Sequence, residues 1–349
     1  MTLEISSNRR TVIKEKVLEV LKNYSEPVLP VKIGSIIRSM SYVKLISYSS
    51  QIKKYGITYN ELITISETKD AYVVKDNETG RFCIYYNNID PSITLSNRVR
   101  WNLAHELGHI VLDHHRFYKT NKLYRTILTD SEYAYLEKEA DYFAQLILVP
   151  HAALIAFNIN SYNHIRTLCK ISGPAAQRRH KDFIRWKQNI DANDKYDNKI
   201  FYYYFNFLFK KECKTCGASL IQRHGKYCPI CGFKNTLEWG DGDKMKYPLL
   251  ETYENGKLKE CPNCTNEDTD IEGDYCQICG TSLVNKCTNE NCTNVSKALP
   301  SNARYCPVCG SESSFYRDNL LKMWNYNNAN SPNIPMNIFD SIDEELPFY

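Results

Sequence analysis

Two histidines four residues apart enclose the stretch His105-Glu106-Leu107-Gly108-His109. On an α-helix that spacing puts both imidazoles on one face, within reach of a single Zn²⁺. Glu106, beside the first, can take a proton from a water molecule at the ion. The flanking Trp101, Leu103, Ala104, Leu107, Ile110, Val111 and Leu112 have an apolar helical period, as expected of a buried helix that holds such a site rigidly. We expect this helix from about Ser96 to Asp113, with Ser96 as N-cap.

A metal held by two imidazoles needs a third protein ligand. A second helix, Ser131 to Val149, ends at Pro150 and carries Glu137 and Asp141, again four apart on one face. Glu137 can bind the metal while Asp141, a turn later, orients a ligand histidine. Glu139 points about 200° away from Glu137 at about 100° per residue. His115 is a further rival, as in His-Glu-x-x-His-x-x-Gly-x-x-His proteases, but Leu112 stands where that pattern needs a glycine. His114 and His115 then read as surface residues at a helix end.

His105-Glu-Leu-Gly-His109, followed by Leu136-Glu137-Lys-Glu-Ala-Asp141-Tyr-Phe-Ala144 running into Pro150, resembles the ImmA/IrrE family of metallopeptidases. Pro27-Val-Leu-Pro30-Val-Lys resembles that family's N-terminal region, and the likeness covers roughly residues 10 to 190. It implies an α+β, zincin-like core with a small β-sheet beside the HExxH helix, and Glu137 as third ligand. It also implies a narrow substrate, often a helix-turn-helix repressor cut at one site to release a set of genes. Residues 162 to 188, two short helices around Ser172-Gly-Pro174, resemble the helix-turn-helix-like segment that follows the peptidase core. There Arg178, Arg179, His180 and Lys181 are candidates for DNA contact.

Other elements follow from periodicity. Residues 11 to 23 place Val12, Ile13, Val17, Val20 and Leu21 on a helical stripe, which Pro27 and Pro30 stop. A strand at Tyr42 to Tyr48 and a hairpin from Ala71 through a turn at Asn77 to Gly80 supply the sheet, with Cys83 as a core residue. Tyr133, Tyr142 and His151 are candidates for stabilising an oxyanion, and nothing in the sequence chooses among them. The aromatic run Phe201 to Phe209 has basic residues only after it, so it reads as a buried strand rather than a base-stacking platform.

Twelve of the 14 cysteines lie between Cys213 and Cys309 and form three tetrads. Cys213-x2-Cys216 is followed after eleven residues by Cys228-x2-Cys231-Gly, and Cys261-x2-Cys264 after eleven by Cys276-x2-Cys279-Gly. Cys287-x4-Cys292 is followed after thirteen by Cys306-x2-Cys309-Gly. Each closing half begins with a tyrosine, at 227, 275 and 305. Two such pairs wrap four thiolates around one Zn²⁺, and loops this short have no core of their own, so the metal holds the fold. The tetrads resemble zinc ribbons; His224 could replace a ligand in the first.

At 349 residues the chain suits two or three domains. The formal charge of +4 falls to about −2 if twelve thiolates hold three dications, which is not the balance of a strongly basic nucleic-acid binder. Residues 1 to 10 are polar, the apolar stretch from Tyr142 to Phe157 is broken by Gln145, Pro150 and His151, and paired cysteines suit metal rather than disulfides. We therefore expect a reducing, cytoplasmic setting without membrane contact. The expected division is a peptidase domain at 1–158, a helix-turn-helix-like segment at 159–200, ribbons at 201–240, 255–284 and 285–312, and a disordered tail at 313–349. The sequence supports a zinc endopeptidase with one catalytic and three structural Zn²⁺, the ribbons serving partner or signal recognition. A non-proteolytic zinc-organised binding protein and a nucleic-acid-associated factor are the alternatives.

Overall fold

A computed structural model describes residues 4–76, 78–94, 97–116, 129–157, 159–240 and 247–325. The expected cap Ser96, the turn residue Asn77 and the tail beyond 325 lie outside the described residues. The chain divides into two compact units, Met1–Leu208 and Phe209–Tyr349. Among the described residues no helix is long and apolar enough to cross a membrane.

The first unit opens with α1 (Ser7–Tyr24), capped by the Ser6 hydroxyl, which accepts from the Arg9 amide. Ile13, Val17, Leu18, Val20 and Leu21 form its buried stripe. Val12, expected in that stripe, is 40% exposed and Leu18 takes its place. After α2 (Ile33–Ser39), β1 (Val43–Ser47) leads through α3 (Tyr48–Tyr55) and α4 (Tyr59–Ser66) to the hairpin of β2 (Ala71–Lys75) and β3 (Phe82–Tyr86). The order is β1-β3-β2, with Leu45 parallel to Ile84 and Val73 antiparallel to it, so β2 is an edge strand.

A short α5 (Pro91–Thr94) precedes the HExxH helix α6 (Arg98–Val111), and a 3₁₀ turn at His114–Arg116 follows it. The helix α7 (Asp130–Leu148) starts with a capping box in which Thr129 and Glu132 satisfy each other's free backbone amides. Beyond it lie α8 (His151–Leu154), α9 (Tyr162–Cys169), α10 (Gly173–Gln188) and α11 (Lys195–Leu208). The last contains the aromatic run expected as a strand. Its buried residues Ile200, Tyr204, Phe207 and Leu208 recur at helical intervals, while Tyr202 is exposed. The Tyr203 hydroxyl donates to the Leu21 and Ser25 carbonyls, joining this helix to the end of α1. The compact units therefore divide at Phe209, inside the segment expected as the first ribbon.

The second unit holds the sheet β5-β4-β6, from β4 (Lys210–Cys213), β5 (Ser219–Ile221) and β6 (Leu237–Trp239). Three small clusters, each centred on one cysteine tetrad, make its core. The short helix α12 (Ser314–Arg317) corrects the expected tail: Phe315 is fully buried against the second tetrad, and Trp324 packs against the first. An aromatic side chain buried in such a cluster orders the backbone that carries it.

Where α6 meets α7, Gly108 is the point of closest approach. A β-carbon there would lie 3.2 Å from the Ala140 Cα, 3.2 Å from its carbonyl oxygen and 3.3 Å from the Phe143 Cβ. We expect Gly108→Val to force the helices apart, costing about 1–3 kcal/mol by overpacking and loosening any metal shared between them. Thermal unfolding and metal content check this. Gly173→Ala, where an added carbon meets nothing within 4 Å, should leave both unchanged.

Candidate metal centre

The two histidines and Glu137 converge as their spacing requires. His105 Nε2 lies 3.1 Å from His109 Nε2 and 3.3 Å from Glu137 Oε2, and His109 Nε2 lies 3.4 Å from Glu137 Oε1. A tetrahedron with arms of about 2.0–2.1 Å has edges of about 3.3–3.4 Å, so these three atoms stand where a zinc-sized ion would need them. His105, His109 and Glu137 thus form a group that could hold a metal ion. His115 and Glu139, the rival ligands, are not part of it.

The far nitrogens of the two rings decide which lone pairs face the centre. Asp141 Oδ1 lies 3.0 Å from His105 Nδ1, and a carboxylate can only accept, so Nδ1 carries a proton and Nε2 is the nitrogen left for a metal. A second chain serves His109. Its Nδ1 meets His114 Nδ1 at 2.9 Å, and His114 Nε2 meets Glu139 Oε2 at 3.0 Å. The Glu139 carboxylate takes the His114 Nε2 proton, leaving His114 Nδ1 to accept from His109 Nδ1–H. His109 Nε2 is then free for a metal.

Glu139 is 1% exposed, and Arg9 of α1 grips both its oxygens at 2.7 Å. Burial alone would raise this carboxyl, but hydrogen bonds from His114 and Arg9 outweigh it and hold it at about 2. Such a buried carboxylate is tolerated because both oxygens have charged or ring N–H partners. His114, expected at the surface, is fully buried, and so is His115. The physical reason is the chain's exit from α6: Leu112 caps the helix and Asp113 turns left-handed at φ 57°, folding the next residues back. The His115 ring lies tilted against Phe82, with centroids 5.4 Å apart, and burial depresses it to about 3.

Burial also sets the charge state of the ligands. It pushes His109 down to about 4, the neutral form that ligates. For Glu137, the neighbouring His105 and His109 rings outweigh burial and hold the carboxyl well below its usual range. Burial lowers His105 too, but its bonds to Asp141 and Glu137 exceed that and raise it to about 10, so a metal binding at Nε2 would displace a proton. Glu106 is raised to about 7 by burial first, with the Glu137 charge adding, while His105 and the Val73 amide pull it down.

The centre opens into a cleft of ≈ 880 Å³ lined by Tyr72 and Val73 of β2, by Glu106, and by Tyr133. Of the three oxyanion candidates, Tyr133 is there, whereas Tyr142 and His151 line a separate cavity of ≈ 430 Å³. Arg98 and Asn102 also line the cleft and hold Asp70 at 2.6 and 2.8 Å. Their spacing to His105 and to each other is helical, a signal present in the sequence but not used. Arg178 is a further lining residue, while Arg179 is bound by Asp182 at 2.6 Å and by Gln145.

In the second unit each tetrad pairs its first sulfur with its fourth and its second with its third. Cys213–Cys231 and Cys216–Cys228 are 3.7 and 3.8 Å apart, and Cys261–Cys279 and Cys264–Cys276 are both 3.6 Å apart. Cys287–Cys309 and Cys292–Cys306 are 3.5 and 3.8 Å apart. Disulfide sulfurs would be about 2.05 Å apart, whereas four thiolates around Zn²⁺ at about 2.3 Å sit about 3.8 Å apart. All three tetrads could hold a metal ion, and His224 stays outside the first.

The ring-orienting chains make separable predictions. His114→Ala and Glu139→Ala should each weaken metal binding at this centre about 10–100-fold, whereas Glu137→Ala, which removes a ligand, should empty it. A cobalt titration reads this directly, since thiolate charge-transfer bands report the cysteine tetrads separately. Equal affinity in wild type and Glu139→Ala would show that the His114 chain does not support the ligand.

A comparison with curated proteins gives no match. Residues 58–179 match the family model Peptidase_M78, described as an IrrE N-terminal-like domain. That span contains both strands of the hairpin, α6 with its two histidines, and α7 with Glu137, Glu139 and Asp141. The part of the chain that builds this centre is thus similar to the IrrE N-terminal-like domain of the Peptidase_M78 family, which supports a metallopeptidase of the IrrE/ImmA type.

Proposed function

We propose that the chain is a zinc-dependent endopeptidase that cuts one site in a helix-turn-helix transcriptional repressor and so relieves repression. One observation carries the reading: three ligand atoms at tetrahedral spacing share an open cleft with Glu106, a carboxylate outside the ligand set and buried enough to sit near 7. A Zn²⁺ bound by His105, His109 and Glu137 would supply a Lewis acid beside the scissile carbonyl and a water acidic enough to lose its proton near neutral pH. Glu106 takes that proton and returns it to the leaving amine. Asp141 and the His114–Glu139 pair hold the ligand rings in register, and Tyr133, as a residue of the cleft lining, is our candidate for donating to a developing oxyanion.

The cleft suits an extended peptide. Asp70 and Asp76 bond towards β3 through Asn87 and Arg81, so the alternating pattern turns Ala71, Val73 and Lys75 to the free edge of β2. The Val73 amide is already directed at Glu106, which leaves the Ala71 edge and the Val73 carbonyl for a substrate strand. Arg179 is engaged by Asp182 and Gln145 and Arg178 lines the cleft, which favours a role for this segment in the cleft wall over DNA contact. The paired cysteine spacing, which suits metal rather than disulfides, supports a reducing, cytoplasmic setting. The ribbons, outside the peptidase unit, are assigned to partner or signal recognition.

Co-expression with the repressor encoded nearest the gene tests the reading. Wild type should cleave it, and Glu106→Gln should leave it intact, with a rate loss of about 10²–10⁴. A repressor that stays whole with both proteins while binding both would replace the peptidase with a binding scaffold. Metal analysis should give about four Zn²⁺ per chain, one catalytic and three structural; a count near one would remove the ribbon assignment.

A further inference from the structure

The first and third tetrads do more than share a motif: their closing halves are paired with each other. The Lys226 and Tyr227 amides donate to the Pro307 carbonyl at 2.8 and 3.1 Å, and the Arg304 and Tyr305 amides donate to the Pro229 carbonyl at 2.7 and 3.0 Å. The contact is reciprocal in its side chains as well. The Tyr305 ring covers Gly232, where a β-carbon would come within 3.0 Å of it. The Tyr227 ring covers Gly310 at 2.7 Å by the same measure. The segment Tyr-Cys-Pro-x-Cys-Gly is therefore self-complementary, because tyrosine and two amides on one copy meet glycine and one carbonyl on the other. Gly232 and Gly310 have φ of 77° and 80°, so glycine serves both the turn and the close approach.

The second tetrad builds the same surface. Its turn closes with the Gly280 amide on the Cys276 carbonyl at 2.8 Å, against 2.9 Å in the other two. The Leu283 amide bonds the Asp274 carbonyl at 2.7 Å, as Asn235 bonds Lys226 and Ser313 bonds Arg304. Gln277 stands where the others have proline, but the group used there is the backbone carbonyl, which glutamine keeps. Among the described residues this surface has nothing on it. A β-carbon at Gly280 meets nothing within 4 Å, Tyr275 is 65% exposed, and Ile278 is 69% exposed where its counterparts Ile230 and Val308 are 3% and 39% exposed. Asp274, the carboxylate inside the motif, is neutralised by Lys286.

We propose that the Tyr275–Gly280 segment is an interface and that its occupant is the same segment of a second copy of this chain. The interface inside the molecule shows what this motif binds, namely itself, and its other two copies are already used on one another. An isologous contact requires only one kind of surface, which a second chain supplies in full. Across the two-fold, the Asp274 and Tyr275 amides meet the partner's Gln277 carbonyl, and each Tyr275 ring covers the partner's Gly280. Ile278 becomes less exposed, towards the range of its counterparts Ile230 and Val308. A contact this small lies below standard interface size, so the dimer is weak, with a dissociation constant on the order of micromolar or above. The inference does not depend on the peptidase reading.

Sedimentation equilibrium of the metal-loaded full-length chain over a wide concentration range tests it. Wild type should show a reversible monomer–dimer equilibrium. Tyr275→Ser and Ile278→Asp should each weaken it at least about tenfold, with cysteine-bound metal and melting temperature unchanged. Ile65→Asp, which removes an equally exposed apolar side chain from the other unit, should dimerise like wild type. A chain monomeric at every concentration, or a dimer indifferent to Tyr275→Ser and Ile278→Asp, overturns the proposal.

Discussion

The near-contact of α6 and α7 at Gly108 is the constraint on which the rest of the first unit depends. Two histidines come from one helix and the carboxylate from the other, so their 3.1–3.4 Å spacing exists only while the backbones stay that close. The apolar packing of Leu103, Ala104, Leu107, Ala140, Phe143 and Ala144 supplies the force that holds them there. Rigidity matters because a ligand displaced by a fraction of an ångström no longer shares its ion.

The same approach buries charge, and the rest of the unit is arranged to satisfy it. Glu139 lies on the face of α7 opposite Glu137 and would be costly to bury alone, by several kcal/mol. Arg9 from the first helix and His114 from the turn after α6 meet its two oxygens. The chain's N-terminal helix is thereby linked to the orientation of a metal-ligand ring far from it in sequence. On the other side Asp141 does the simpler job for His105 directly.

The second unit reaches order by a different route. Its clusters contain few apolar side chains besides the cysteines, and Leu258, Leu283 and Phe315 in the second are among the exceptions. Thiolates gathered at 3.5–3.8 Å repel unless a cation joins them, so fold and metal binding are one equilibrium there. Pairing of closing turns joins two of these modules through backbone amides and carbonyls.

The sequence by itself determined the local chemistry. His105, Glu106 and His109, the Glu137/Asp141 spacing, the hairpin and the three cysteine tetrads are short-range patterns, readable because the helix and the knuckle turn have fixed periods. What only the tertiary structure decided depends on residues meeting across long separations or on one backbone angle. Asp113 turning left-handed brings His114 onto His109, where a continued helix would have left it outside. Glu139 looked idle because its partner Arg9 is 130 residues away. The aromatic run became a helix because burial on one stripe against α1 and α8 outweighs the strand preference of its individual residues. Periodicity records which face is buried, and only the folded chain supplies what it is buried against.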